Sequence, residues 1–464
     1  EQLLVNVHFD FGGGTCQTYA LPLLLNWASL SELSTSQRAF SLAKVRRGAR
    51  VGTLIDGATE EALFSALAER LRRGDTVPTE NGELVFSPSP LLEDVASSDA
   101  VKVLHFEQSN AAAVVGDSVL LKIYRRLEVG LQPEIEIGRF LTEHAQFPHT
   151  PKLLGVIEHV TDTSRTALAG AFEFVYNQGD AWYVVTDALE RLLEECGLGN
   201  TSSCELPDLA FPLDIADLIG RRTAEMHIAL ATPTDNADFA AEPVGTDDIE
   251  RWIGDSEAEA ERTFEALERA MASAMPQTSR ECIDLLHSHR HKIKTLLDGY
   301  RRLAPAGQKI RHHGDFHLGQ VLVVQDDLMI VDFEGEPTRT LADRRRKTSP
   351  LRDLAGMLRS LDYATWAAFD KVASRGFAHP DVMRQLAFLW RYKAVSDCIA
   401  AYTHTAAACP FHPSDAETAR GLLNVFLLRK ALYEVRYEVG SRPDWLSIPV
   451  RGIIDLLEQF GGEA

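Results

Sequence analysis

Two short segments of the sequence gather side chains suited to moving a phosphoryl group. The first is His313-Gly314-Asp315-Phe316-His317-Leu318-Gly319-Gln320; the second is Ile330-Val331-Asp332-Phe333-Glu334-Gly335-Glu336-Pro337. Between them, Val321 to Val324 and Leu328 to Val331 flank Gln325-Asp326-Asp327, the pattern of a hairpin centred near Asp326. Folding about that centre brings Gln320 close to opposite Asp332. Glu334 lies two residues further on, and strand alternation would put both carboxylates on one face. Magnesium takes a few such oxygens and completes its shell with water and phosphates, so Gln320, Asp332 and Glu334 are the candidate metal ligands. Asp315 stands on the loop leading into the ribbon, where phosphoryl transfer needs a carboxylate to orient an acceptor hydroxyl and take its proton. A solvated hairpin with surface acids is the competing reading; the apolar flanking strands weigh against it. His312, His313 and His317 have no cysteine or distant histidine motif to join, so they read as loop braces rather than zinc ligands.

A nucleotide also needs a strand lysine for its phosphates and a helix glutamate to hold that lysine. Leu120-Leu121-Lys122-Ile123-Tyr124 offers Lys122 among apolar neighbours, and Glu134 and Glu136 follow on the next helix. Glu136, one turn in, is the preferred partner. Ahead of this strand, Glu107-Gln108-Ser109-Asn110-Ala111 has no glycine; Gln108, Ser109 and Asn110 could still offer N–H groups and a hydroxyl to phosphate oxygens. Far downstream, Lys430, Tyr433, Glu434 and Tyr437 fall at i, i+3, i+4 and i+7 on one helix face. Rings that stack on sugar faces and charged groups that hold hydroxyls suit a saccharide. Spacing alone fits better an amphipathic helix with its tyrosines packed inward.

The elements that must position these residues divide the chain into three. Residues 1–90 read as strands with one helix over 59–74, where Leu63, Leu67 and Leu71 recur at helical spacing. Residues 91–178 read as strand, hairpin, strand, a helix opened by Pro133, and two further strands. Residues 179–464 are mainly helical, with periodic segments near 181–195, 213–230, 247–273, 279–303, 350–375, 380–406 and 415–439 and one strand pair at 320–334. The expected class is α+β: a small mixed region ahead of a larger helical one, as in a two-lobed protein-kinase-like fold, with an N-terminal cap domain over 1–90.

Composition sets the outer limits. The chain has 464 residues, 45% hydrophobic and 25% charged, long enough for two or three domains. Its net charge of −20 disfavours nucleic acid and anionic membranes, which need a basic face. The longest apolar stretch, 19–28, is interrupted by Pro22 and Asn26 and is too short to span a bilayer. Six cysteines without a CxxC pair point to a reducing, cytoplasmic setting. GxxxxGK[ST], GxGxxG, HExxH and GxSxG are all missing, which removes several common enzyme classes.

The same segments resemble the bacterial maltokinases. The likeness rests on Glu-Gln-Ser-Asn at 107–110, Lys122 with Arg125-Arg126, 313–322, Asp-Phe-Glu-Gly-Glu-Pro at 332–337, Ser-Pro-Leu-Arg-Asp-Leu-Ala-Gly-Met-Leu-Arg-Ser at 349–360, and Lys-Ala-Leu-Tyr-Glu-Val-Arg-Tyr-Glu at 430–438. It extends from about residue 1 to 460. It implies an aminoglycoside-phosphotransferase-like fold with a cap domain, ATP and magnesium as cofactors, and phosphorylation of maltose at the anomeric hydroxyl, feeding α-glucan synthesis from trehalose. It also implies Asp315 as catalytic base, and His317, Lys430, Tyr433, Glu434 and Tyr437 on the substrate side. Asp353, within 349–360, is expected to fasten the catalytic loop rather than bind a ligand. The family's short Arg-Trp segment before the first strand is absent, and 132–182 looks like a kinase region fused behind a trehalose synthase. The chain is therefore expected to be a piece, or a close relative, of such a fusion, with a trehalose synthase as possible partner. A related family uses glucosamine, so a kinase of an amino sugar is the alternative, with an inactive kinase-fold binding module behind it.

Overall fold

The computed structural model describes residues 2–12, 16–28, 30–93, 100–104, 110–198, 206, 208–272, 274–377 and 379–461. They form two compact units, one ending at Tyr176 and including Arg339–Leu341, the other made of Asn177–Thr338 and the chain from Ala342 onward.

The first unit is built on two sheets. Strands β1 (Gln2–Asp10), β2 (Cys16–Asn26), β3 (Ser41–Arg47) and β4 (Arg50–Asp56) make a sheet in the order β1-β2-β4-β3. After the helices α1 (Thr35–Ala39) and α2 (Glu61–Arg73) come β5 (Thr76–Thr79), β6 (Gly82–Pro88), β7 (Val101–Leu104), β8 (Ala111–Val115) and β9 (Val119–Ile123). The two-residue β10 (Arg126–Leu127) joins the first sheet through β2. With β11 (Leu153–Val160) and β12 (Arg165–Glu173), the remaining strands form a seven-stranded sheet ordered β5-β6-β11-β12-β9-β8-β7. Phe64 and Leu71 of α2 pack with Phe86, Leu121 and Ile157 in its core. The expected boundary at residue 90 thus falls inside one sheet, because β6 pairs with β11 from Pro88↔Gly155 to Glu83↔Val160. Hydrophobic alternation marks a strand but not its distant partner. Helix α3 (Pro133–Arg139), opened by its proline, continues into a π-helical turn, Phe140–His144.

The second unit is mainly helical: α4 (Ala181–Leu198), α5 (Ala216–Leu230), α6 (Thr246–Met271), α7 (Gln277–Ser288), α8 (Arg290–Tyr300), the short α9 (Leu341–Arg345), α10 (Leu351–Ala373), α11 (Pro380–Ala406), α12 (Ala416–Ser441) and α13 (Ser447–Gly461). The single helix expected over 279–303 is two, broken at His289, whose Nδ1 lies 2.9 Å from the Leu285 carbonyl. Helix α10 is buried along nearly its whole length and packs on α4, α11 and α12. Two-residue strands β13 (Glu242–Pro243) and β14 (Gln308–Lys309) pair ahead of the ribbon of β15 (Val321–Val324) and β16 (Asp327–Ile330). No described helix is long and apolar enough to cross a membrane.

Candidate active site

The loop that carries Asp315 is fastened from below by α10. Asp353 in its first turn accepts hydrogen bonds from the backbone N–H of His313 (2.7 Å) and of Gly314 (3.0 Å). Burial by itself would push this carboxyl up. The hydrogen bond to His227, 3.3 Å away, and the nearby His312, His227 and His313 more than offset that and hold it below the usual carboxylate range. Gly314 turns the chain with φ +89°, and a Cβ there would meet the Cα of Gly335 at 3.2 Å. His313 then ties this loop to the second segment. Its Nε2 lies 2.9 Å from the Val331 carbonyl, and its ring sits 5.0 Å from that of Phe316 and 4.7 Å from that of Phe333. His312 is wholly buried and its pKa is pushed down to about 3, so it braces the loop as a neutral ring.

Replacing Asp353 by Ala strands two N–H groups, the buried one of His313 and the partly buried one of Gly314, at about 1–3 kcal/mol for a buried group. Urea unfolding should therefore show a loss of about 3 kcal/mol; a loss below about 1 kcal/mol would contradict this role.

The ribbon turns through Gln325 and Asp326, with Val324 opposite Asp327 and Gln325 at φ 55°. This register puts Gln320 opposite Val331, whose N–H donates to the Gln320 carbonyl at 3.0 Å, one residue short of the expected Asp332; the side chains still meet, the Gln320 amide Nε2 donating to Asp332 Oδ2 at 3.0 Å. Asp332 lies beyond the end of β16 at φ 67°, a left-handed conformation that non-glycine residues adopt mainly where surroundings impose it. Glu334 does not sit on a continuing strand, as alternation would require. It lies in a turn, and that turn brings its carboxylate oxygens within 4.8 Å of those of Asp332. Two carboxylates and a neighbouring amide are a donor set suited to magnesium.

His317 caps the short 3-10 turn Leu318–Gln320, its Nδ1 accepting from Gly319 N–H at 3.1 Å. Burial pushes its pKa down, against the pull of Asp315. Its Nδ1 thus braces the loop, and its Nε2 lies 3.5 Å from the Gln320 amide nitrogen.

Helix α12 brings one of its expected residues to Asp315. Lys430 Nζ lies 3.7 Å from Asp315 Oδ1. Burial alone would push its pKa down, but Asp315, Glu434 and Glu336 together raise it and keep the ammonium charged. Tyr433 and Tyr437 stack at 6.5 Å between centroids with 22° between planes, and Tyr437 is 48% exposed. Glu434 is different: it is buried, and Arg359 of α10 binds it through Nε (2.9 Å) and Nη2 (2.8 Å). At about 100° per residue it falls on the inward edge of the face shared by Lys430 and the tyrosines, so it serves the core rather than a substrate.

In the first unit Lys122 lies on β9 between β8 and β12, an interior strand rather than an edge. Its Nζ reaches Glu134 at 3.0 Å, and Tyr124 Oη donates to Glu134 Oε2 at 2.7 Å. The partner is thus Glu134 and not the expected Glu136. Glu134 is buried at the second position of α3, whereas Glu136, two residues on, points some 200° round the helix and is half-buried. Tyr124, two residues after the lysine and just past the end of β9, is a neighbour of this pair that sequence reasoning passed over; its apolar setting gave no signal. Asn110 accepts from Arg125 N–H at 3.4 Å, while Gln108 and Ser109 lie outside the described residues. Glu134→Gln should lower kcat/KM for ATP about tenfold or more, and Glu136→Gln should leave it within about twofold, measured by steady-state kinetics.

A strand lysine held by a helix glutamate, in a sheet-rich unit ahead of a helical one that carries a loop aspartate and a ribbon-borne acid pair, defines the protein-kinase-like class of phosphotransferases. The model of the phosphotransferase enzyme family (APH) matches residues 100–389, more than half of the chain, and the protein belongs to that family. It is 26% identical over 360 residues to a glucosamine kinase of Streptacidiphilus jiangxiensis, covering 76% of this chain and 72% of that protein. It is 24% identical over 360 residues to a glucosamine kinase of Mycolicibacterium smegmatis, covering 76% and 78%. A solved glucosamine kinase, in complex with glucosamine, ADP and inorganic phosphate, matches with a TM-score of 0.64 at 21% identity over 98% of this chain and 94% of the other, a likeness of fold. These relatives are named glucosamine kinases, not maltokinases, so of the likeness to maltokinases the phosphotransferase family with its kinase-like fold is what holds.

Proposed function

We propose that the protein transfers the γ-phosphoryl group of ATP, as its magnesium complex, to a hydroxyl of glucosamine. The observation that carries a hydroxyl acceptor is Asp315 on its fastened loop with Lys430 at 3.7 Å. A loop carboxylate beside a fixed cation can orient an acceptor O–H and take its proton as the O–P bond forms. Asp332, Glu334 and Gln320 would hold the magnesium, which supplies charge neutralisation for the phosphates. Lys122, held by Glu134, would pair with phosphate oxygens. Glucosamine is favoured by the names of the two relatives at 26% and 24% identity. It is also favoured by Glu336, whose charge acts on both Lys430 and Tyr433 and would suit an ammonium on the acceptor.

One observation keeps maltose as a second reading: Tyr433 and Tyr437 offer parallel rings over a longer face than one sugar ring needs. A panel of sugars with ATP and magnesium, scored by ADP release and by phosphorus NMR for the position modified, separates the two. We expect kcat/KM for glucosamine at least about tenfold above that for maltose, because a site that binds an ammonium discriminates against sugars without one. A preference for maltose, with methyl maltoside inert, would move the assignment to the anomeric hydroxyl of the disaccharide. Absence of turnover with any sugar would sink both.

A further inference from the structure

The helical unit holds a cavity of about 710 Å³ among α10, α11, α12 and α13, apart from Asp315 and the ribbon. Leu354, Leu358, Ile399, Leu423 and Leu427 give it apolar walls. The charged residues at its floor pair off among themselves. Arg359 Nη1 meets Asp362 Oδ2 at 2.5 Å, Arg391 Nη1 meets Asp455 Oδ2 at 3.1 Å, and Arg391 Nε also donates to Asp362 Oδ1. Gly452 of α13 makes room for that floor, since a Cβ there would run into the Arg359 guanidinium. At the rim, Thr403, Ala407 and Arg420 are exposed. Among the described residues no ion pair, hydrogen bond or ring contact engages the Arg420 side chain. The lining is thus an apolar pocket of ligand size, neutral at its base, with one cation left over at its mouth.

We propose that this cavity binds a small amphipathic anion, its apolar body lying between α10 and α12 and its carboxylate head at Arg420. Apolar walls reward burial of a hydrocarbon body in proportion to the area removed from water. The unmatched guanidinium selects the sign of the head and, with its fork of donors, favours a carboxylate. A cationic or neutral head would bury the same body and gain nothing at the rim.

Decanoate is the probe, titrated into the full chain by calorimetry, with decylamine and 1-decanol as same-body controls. The expected result is one saturable site for decanoate, with both controls at least about tenfold weaker. Arg420→Glu turns attraction into repulsion at an exposed position and should weaken decanoate about tenfold without moving the thermal midpoint. Ile399→Trp, which fills the cavity from α11, should weaken all three compounds. No saturable binding, equal binding of decylamine, or undiminished binding to the Arg420→Glu protein would each overturn the proposal.

Discussion

Asp315→Asn is expected to lower turnover by roughly 10²–10⁴-fold, the range for loss of a positioned proton acceptor, while nucleotide affinity stays within about twofold. Asparagine keeps the size of the side chain and can still hydrogen-bond a hydroxyl, so the acceptor should still dock. What it loses is the place for the proton. The variant also removes the carboxylate facing Lys430 at 3.7 Å, and that ammonium then keeps Glu434 and Glu336 as its anionic neighbours. The loop itself should hold, because its anchors are the His313 and Gly314 N–H bonds to Asp353 and not the Asp315 side chain. Near-normal turnover in Asp315→Asn, with nucleotide binding checked by calorimetry, would remove Asp315 from the role of base.

The second large effect is expected at Asp332. Asp332→Ala should abolish turnover, by more than about 10³-fold, because a full charge on the metal ion and a dipole are not interchangeable. Its backbone lies at φ 67°, where asparagine is tolerated better than alanine. Asp332→Asn is therefore the companion variant: it keeps the conformation and removes only the charge. Gln320 contributes an amide that hydrogen-bonds Asp332 at 3.0 Å, so Gln320→Ala should retain more activity and regain more of it when magnesium is raised. A magnesium titration of the three variants, read as kcat/KM for ATP, orders these effects. Turnover of Asp332→Asn close to that of the unaltered protein would mean that the ribbon does not hold the ion.

Local pattern made much of this legible. Val321 to Val324 and Leu328 to Val331 around Gln325-Asp326-Asp327 marked a hairpin, but the turn has two residues rather than three, so the register is shifted by one: Gln320 stands opposite Val331 and reaches Asp332 through its side chain. Pro133 marked the start of a helix, and the apolar run around Lys122 marked a strand. Asp353, expected from its segment to fasten the loop, accepts from the His313 and Gly314 N–H groups.

Choices among near-equivalent residues were settled by packing. Two glutamates stood on α3, and the helix phase against β9 put Glu134, not Glu136, at the lysine. Four polar or aromatic residues shared a face of α12, and the place of Arg359 on α10 drew Glu434 into the core while Lys430 turned to Asp315. Glu334 meets Asp332 through a turn rather than strand alternation, and β6 joins β11 across the supposed boundary at residue 90. The sequence by itself determined which segments gather the candidate residues, because periodicity and turn residues act over a few neighbours. Only the tertiary structure decided which member of each set meets its partner, because that depends on which distant side chain occupies the space beside it.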